Sequence, residues 1–353
     1  MEAWLLREWQ RTGPWQILLR PLSWAYAFLT ALRRGLYRSG ILKIERIGVP
    51  VIVVGNISVG GSGKTPLVLA IARHLAGTGL RCGIISRGYT RDAVAKAARR
   101  QMGKVIHVVP GSADSLAMGD EAMLLACRSG APVYIAADRA SAGRALLRNH
   151  PGIDVLICDD GLQHYALHRD LEICVIDGAR GFGNGAMLPA GPLREPAMRL
   201  ATVNAIVVNG EATAEPLNVV TAAPKAPVYR MSLGNESLVR VLDEKVLSVR
   251  QALAEFSTTR VLAVAGIGNP ARFFAHLRHL GFTPAETLSF PDHHPFSAAD
   301  LVASGAGIIL MTEKDAVKCR GFADDRMWFM RVDAILPDAF GEFVVNQLSE
   351  LKK

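Results

Sequence analysis

Pro50-Val-Ile-Val-Val-Gly-Asn-Ile-Ser-Val-Gly-Gly-Ser-Gly-Lys-Thr65 is the stretch on which the fold turns. Its first part, Pro50–Gly55, is a short β-branched apolar run, the pattern of a parallel strand buried on both faces. Its second part, Ser58–Thr65, follows the phosphate-loop pattern Gly-x-x-x-x-Gly-Lys-Ser/Thr, with Ser58 where the first glycine is expected. Gly60, Gly61 and Gly63 let backbone N–H groups turn inward around phosphates. A helical pattern runs on from Thr65 to about Ala76, so a helix N-terminus adds its dipole at the same place. Ser58, Gly60, Gly61, Ser62, Gly63, Lys64 and Thr65 are therefore expected to hold ATP. Lys64 reaches the β/γ-phosphates and also serves catalysis, and Thr65 ligates Mg²⁺.

Outward from this loop, strand-like and helix-like runs alternate. Arg81–Ser86, Val105–Val109, Pro132–Ala137, Val155–Asp160, Leu171–Asp177 and Ala205–Asn209 read as strands, with helical patterns such as Asp120–Arg128 and Ser141–Asn149 between them. That alternation predicts a doubly wound α/β sheet. Near residue 229 the texture changes. Tyr229–Leu233, Gly234-Asn235 and Leu238–Leu242 read as a two-stranded hairpin. A second α/β set then runs from Arg260–Ala265 through Ile308–Thr312 and Met327–Val332 to a final helix from about Pro337. The expected division is residues 1–40 as an N-terminal helical segment, 41–228 as a P-loop domain, and 229–353 as a smaller α/β domain.

The chain has 353 residues and a net charge of +8, a length that favours two domains. Half the residues are hydrophobic and a fifth charged, which excludes a disordered chain. Five scattered cysteines without a CxxC pair predict neither a disulfide framework nor a zinc site. The first fifty residues carry eight Lys/Arg against three acids, so +5 of the +8 is concentrated there. After Pro21, expected in the first turn of a helix, Leu22, Ala25, Tyr26, Leu29, Leu32 and Leu36 share one face, with Phe28 at its edge. The apolar run is too short to cross a bilayer. Its Trp, Tyr and Arg content predicts an amphipathic helix lying on an anionic membrane surface; a Trp/Leu-rich face suits lipid better than nucleic acid.

Val155–Asp160 is a buried strand ending in two acids, so Asp159 and Asp160 are expected at Mg²⁺. Arg87, Arg194 and Glu195 follow strands, where open α/β sheets bind ligands, and arginines there suit phosphate groups. Asp120, read alone, is equally a helix cap. Thr312-Glu313-Lys314-Asp315 has the look of a cap as well as of a nucleotide contact.

Several blocks, in order over nearly the whole chain, resemble the tetraacyldisaccharide 4′-kinase family. They are Val54–Pro66, Ser86-Arg-Gly-Tyr89, Gly119-Asp-Glu121, Asp159-Asp-Gly-Leu-Gln-His164, Leu188–Pro196, Phe290-Pro-Asp-His-His294 and Thr312-Glu-Lys-Asp315. Leu162 departs from the family's usual Phe, a change expected to affect packing more than chemistry. The resemblance implies two α/β/α domains joined by a two-stranded β linker. It implies transfer of the ATP γ-phosphate to the 4′-hydroxyl of tetraacyldisaccharide 1-phosphate, giving lipid IVA. It places the enzyme at the cytoplasmic face of the cell inner membrane as a peripheral protein, expected as a monomer. It pairs Asp120 with His293 as catalytic residues, His294 being the alternate. It puts Glu121 and Glu195 with Thr65, Asp159 and Asp160 at the metal. Asn56, Arg87, Tyr89, Gln163, His164 and Arg194 go to the acceptor, His164 standing between a structural and a substrate role. Thr312, Glu313 and Asp315 go to the nucleotide. The rival readings are a P-loop GTPase or metallochaperone, and a membrane-attached ATP switch with no acceptor.

Overall fold

A computed structural model gives the architecture, and it describes residues 8–88, 105–110, 118–211, 226–292, 294–302 and 305–351. In chain order its elements are α1 (Pro14–Arg38), β1 (Val51–Gly55), α2 (Lys64–Gly77), β2 (Cys82–Ser86), β3 (Val105–Val108), α3 (Asp120–Ser129), β4 (Val133–Ala136) and α4 (Arg139–Asn149). Then follow β5 (Val155–Asp159), β6 (Leu171–Asp177), β7 (Ala205–Asn209), β8 (Val228–Arg240), β9 (Val246–Ser248), α5 (Val249–Glu255), β10 (Val261–Ala265) and α6 (Pro270–His279). β11 (Glu286–Ser289), α7 (Ala298–Val302), β12 (Ile308–Thr312), α8 (Glu313–Cys319), β13 (Met327–Ile335) and α9 (Asp338–Glu350) complete the chain.

Two compact units emerge, and neither is one stretch of chain. The first comprises Met1–Arg87, Ala136–Leu233 and Ala334–Lys353; the second comprises Gly88–Ile135 and Gly234–Asp333. The linear division expected at residue 229 therefore differs from the contacts in two places. α3 buries Ala122, Met123, Leu125 and Ala126 and packs on α8 of the second unit. α9 returns to the first unit, where it packs on α2 and sets Phe340 edge-on to Tyr229 at 5.1 Å.

In the first unit β2, β5, β1, β6, β7 and the start of β8 lie side by side, all parallel. Every residue of β1, β5, β6 and β7 is buried, so both faces are covered. Ile52, Val53 and Val54 are sealed completely, roughly 1.5–3 kcal/mol of burial for each. β1 is central. Its neighbours β5 and β6 lead the chain to opposite sides, which makes its carboxyl end a topological switch point, the usual ligand position in such sheets. The phosphate loop starts there. Val54 is in register with Asp159 on one side and Ile173 on the other.

The second unit repeats the parallel theme with order β11-β10-β12-β13, then the far half of β8, on which β9 pairs antiparallel through Leu238↔Leu247. The expected hairpin turn at Gly234-Asn235 is absent. β8 runs straight through it, with Asn235 at φ 54°, and the reversal falls after Arg240 instead. Each half of β8 finds its own ladder partner, β7 for the first half and β9 for the second, so nothing drives a turn between them. β11 was not expected; its Glu-Thr-Leu-Ser sequence is polar and half exposed at a sheet edge.

α1 starts seven residues earlier than expected. Pro14 takes the first helical position, Gln16 Oε1 accepts a hydrogen bond from Gly13 N at 2.6 Å, and Pro21 lies inside the helix. Its inward face is polar. Gln16 and Ser23 are buried, with Ser23 Oγ donating to Met187 O at 2.7 Å. Its outward face carries Trp15, Leu18, Leu22, Phe28 and Leu29, each more than half exposed. No helix among the described residues is long and apolar enough to cross a membrane.

Candidate active site

The functional candidates fall into two groups, one in each unit. In the first unit the loop after β1 is shaped by backbone conformation. Gly60 and Gly63 have φ of 107° and 92°, left-handed values that favour glycine. Space matters as much: a Cβ on Gly60 would meet Arg180 Nη1 at 2.6 Å, and one on Gly63 would meet Asn209 Nδ2 at 2.5 Å. Asn209 Nδ2 donates to Ser62 O at 3.1 Å, and Asn56 Nδ2 donates to Gly60 O at 3.3 Å. Arg180 donates to Gly61 O while ion-paired to Asp177 at 2.9 Å. The carbonyls of the loop are thus drawn outward by side chains. Ser62 is 1% exposed and its Oγ has no hydrogen-bond partner, a buried hydroxyl inside the cradle. Ser58 is held by a bridge to Leu193. Lys64 and Thr65 open α2.

Lys64 Nζ sits 3.2 Å from Asn56 Oδ1 and 3.5 Å from Asp160 Oδ1. Arg194 Nη1 reaches the same carboxylate at 3.4 Å. Burial alone would raise the Asp160 carboxyl, but Lys64 and Arg194 outweigh it and hold it below the ordinary range. Asp160 also has φ 49°, a left-handed backbone that aspartate adopts more readily than most residues other than glycine. Asp159 is 1% exposed; it keeps other partners, but its buried Oδ1 accepts no hydrogen bond.

Glu195, expected at the metal, is fully buried and otherwise engaged. Tyr165 Oη donates to Oε1, Gln163 Nε2 donates to Oε2 at 3.3 Å, and Arg199 Nε lies 3.6 Å from Oε2. Gln163 Nε2 also donates to Asn56 O at 3.0 Å, so Glu195 braces the loop that carries Asn56. His164 lies 3.8 Å from Asp138. Burial, then Arg139, pushes its imidazole down to about 4, so it is neutral at pH 7. Arg87 is exposed at the end of β2. Leu162 is fully buried against Gly55, where a Cβ would lie 2.7 Å from Leu162 Cγ.

In the second unit Gly119 takes the cap position, with φ 86° and no side-chain cap, and Asp120 is the first helical residue of α3. Asp120 is thus not a cap. Its Oδ2 lies 3.3 Å from Lys318 Nζ, which also pairs with Asp315 Oδ1 at 3.0 Å. Lys318 and Asp315 are 3% and 0% exposed. Asp315 Oδ2 accepts from Gly266 N at 2.9 Å and from Thr312 Oγ1 at 2.6 Å. Thr312 caps α8 by accepting from Asp315 N at 3.2 Å. Glu313 meets Arg128 at 2.7 Å; burial pushes its carboxyl up against the pull of that arginine. Thr312, Glu313 and Asp315, expected at the nucleotide, are each committed to bonds inside this unit.

Lys314 meets Asp292 at 2.9 Å. Burial would lower its ammonium, but Asp292, then Glu121, raise it. His294 stacks on Phe290 at 4.5 Å, stands edge-on to Phe296 at 5.0 Å and lies 3.4 Å from Asp300, the setting of a packed histidine. His293 and Tyr89 lie outside the described residues. Among the described residues no three His, Cys, Asp or Glu side chains gather closely enough to cage a metal ion.

Sequence reading missed Arg180, Asn209, Arg199 and Lys318. Asn209 and Arg180 follow strand ends, which was a usable signal; a buried helical lysine gives none.

Known proteins resemble this chain over nearly its whole length. The family profile LpxK, tetraacyldisaccharide-1-P 4'-kinase, matches residues 15–349. A tetraacyldisaccharide 4'-kinase of Methylobacillus flagellatus is 46% identical over 350 residues, covering 99% of this chain and 96% of the relative. One of Dechloromonas aromatica is 46% identical over 352 residues, covering 99% and 98%. The crystal structure of the "apo" form of LpxK from Aquifex aeolicus in complex with ATP matches with TM-score 0.77 and 29% identity, over 94% of this chain and 99% of that one. The phosphate cradle at the switch point and the matches along the whole chain lead to one conclusion: this protein belongs to the tetraacyldisaccharide-1-P 4'-kinase family.

Proposed function

We propose that this chain transfers the γ-phosphate of ATP to the 4′-hydroxyl of a tetraacyldisaccharide 1-phosphate, a lipid A precursor. The observation that carries the reading is the cradle Gly60–Thr65, with Lys64 held between Asn56 and Asp160. Phosphoryl transfer is largely positioning and charge stabilisation, and a lysine fixed at both ends of its reach supplies both.

The residues present fit Mg²⁺. Thr65 opens α2, and Asp159 ends the neighbouring strand with its carboxylate buried. One hydroxyl, one carboxylate and phosphate oxygens are the customary partial cage for this ion. Mg²⁺ would neutralise phosphate charge there. Asp120 is the proposed base toward the sugar hydroxyl, paired with His293; Lys318, 3.3 Å away, holds its carboxylate in place. Glu121 joins the charged group around Lys314.

The exposed apolar face of α1 and the basic residues along it support attachment to the cytoplasmic face of the inner membrane without crossing it. The test is incubation with γ-labelled ATP, Mg²⁺ and the lipid precursor. Label on the lipid at its 4′ position is expected. Nucleotide hydrolysis that leaves the lipid unlabelled, or a preference for GTP, would replace this reading with an ATP switch or a GTPase.

A further inference from the structure

At the foot of α1 lies an open cavity of about 180 Å³, built within the first unit. One wall is α1, through Arg34 and Arg38; the other is the segment after β5 together with Arg199. Its charge is strongly unbalanced. Arg169 Nη1 and Arg199 Nη2 both donate to Glu172 Oε1, at 3.0 and 2.5 Å, so a single carboxylate serves two guanidinium groups. Arg34 and Arg38 make no ion pair among the described residues. Arg199 is 3% exposed. Its Nη1 donates to Thr202 Oγ1 at 2.5 Å, and its Nε faces Glu195 Oε2 at 3.6 Å. Arg199 is thus held between two carboxylates, and Arg34 and Arg38 are the cations of the cavity wall that an anion would pair.

The remaining surface is not that of a site for a small, fully hydrated ion. The rings of Tyr37 and Tyr165, 6.0 Å apart, and the exposed Ile44 give the cavity an amphipathic wall. On α1, Phe28, Leu29 and Leu32 are exposed. A phosphate head with acyl chains satisfies both halves.

We propose that this cavity takes the phosphate of an acylated phosphate ester whose chains lie along α1. The inference rests on the lipid-kinase reading above and deepens it. Two sources share this chemistry: the acceptor's own 1-phosphate and an anionic phospholipid of the bilayer. The scaffold favours the acceptor. Arg199 and Tyr165 meet Glu195, Glu195 meets Gln163, Gln163 meets Asn56, and Asn56 meets Lys64. One bonded chain therefore links the cavity to the loop that would hold the transferred phosphate. Arg194, expected at the acceptor, pairs with Asp160 at 3.4 Å.

The test is the double variant Arg34→Gln/Arg38→Gln, whose side chains lie on the helix surface, with a melting curve to confirm the fold. Initial rates are measured on the acceptor with and without its 1-phosphate, in neutral micelles and in micelles containing phosphatidylglycerol. KM for the phosphorylated acceptor should rise about tenfold or more, as loss of charge-assisted contacts implies, with KM for ATP and for the dephosphorylated acceptor unchanged. Equal loss for both acceptors, confined to the phosphatidylglycerol micelles, would support the site and assign it to the bilayer lipid. Unaltered KM values throughout would overturn the inference. Failure of the wild-type protein to label either acceptor would instead refute the kinase reading.

Discussion

Replacing Lys318 by Met should cost both stability and turnover. Lys318 Nζ bridges Asp315 Oδ1 at 3.0 Å and Asp120 Oδ2 at 3.3 Å, and the three side chains are 3%, 0% and 11% exposed. Met fills nearly the same volume, so the packing change is small. What changes is charge. Asp315 keeps two donors, Gly266 N and Thr312 Oγ1, but both reach Oδ2 and leave Oδ1 bare. Removing one partner of a buried pair costs about 3–5 kcal/mol. Water reaches Asp120 in part, which favours the lower end, about 3 kcal/mol. For a unit of about 150 residues each kcal/mol moves Tm by roughly 2–4 °C, so a fall of about 6–12 °C is expected. Calorimetry reads this directly. Adding Asp315→Asn should recover part of the loss, because the uncompensated charge is then gone while the bonds to Gly266 and Thr312 remain available. Turnover should also fall at temperatures where the variant is folded, since Asp120 loses the ammonium that aims it. A variant that melts with the wild type, or a double variant that melts lower than the single, would refute the buried-pair reasoning.

Lys64→Ala should lower kcat by roughly a hundredfold or more, the scale of losing one electrostatic contact at a transferring phosphoryl group; steady-state kinetics on protein with an unchanged melting curve checks this. His164 gives a pH prediction. Its pKa falls from the ordinary 6.5 to about 4 on folding, so the unfolded chain takes up its proton first as pH drops. Stability from this group is complete above pH 6.5 and lost as pH falls toward 4, up to about 3 kcal/mol. His164→Gln should flatten denaturant-measured stability across that window, and an unchanged slope would count against a neutral buried imidazole. Changing Leu18, Leu22, Phe28 and Leu29 together to Ser should abolish most co-sedimentation with anionic vesicles while leaving the fold intact, because these side chains face outward; undiminished vesicle binding would place the membrane contact elsewhere.

The sequence by itself determined whatever is local. A β-branched run, three glycines, a lysine and a threonine specify strand, anion cradle and helix over consecutive residues, and the structure forms them where the pattern puts them. The buried parallel strands were legible for the same reason: two covered faces leave an uninterrupted apolar run. Tertiary structure decided what depends on partners far along the chain. Arg180 reaches Gly61 across 119 residues and Asn209 reaches Ser62 across 147, and no propensity encodes such meetings. The Gly234-Asn235 pair favours a turn locally, yet two different ladder partners keep β8 extended. The periodicity of α1 announced an amphipathic helix but not which face would turn inward. A hydrogen bond from Ser23 to Met187 and the burial of Gln16 settled that, and left the apolar face without a covering layer. Lys318 is the clearest case. A lone helical lysine reads as a solvated surface charge, and only the packing of α3 on α8 brings Asp120 within 3.3 Å of it and makes it a buried ion-pair partner.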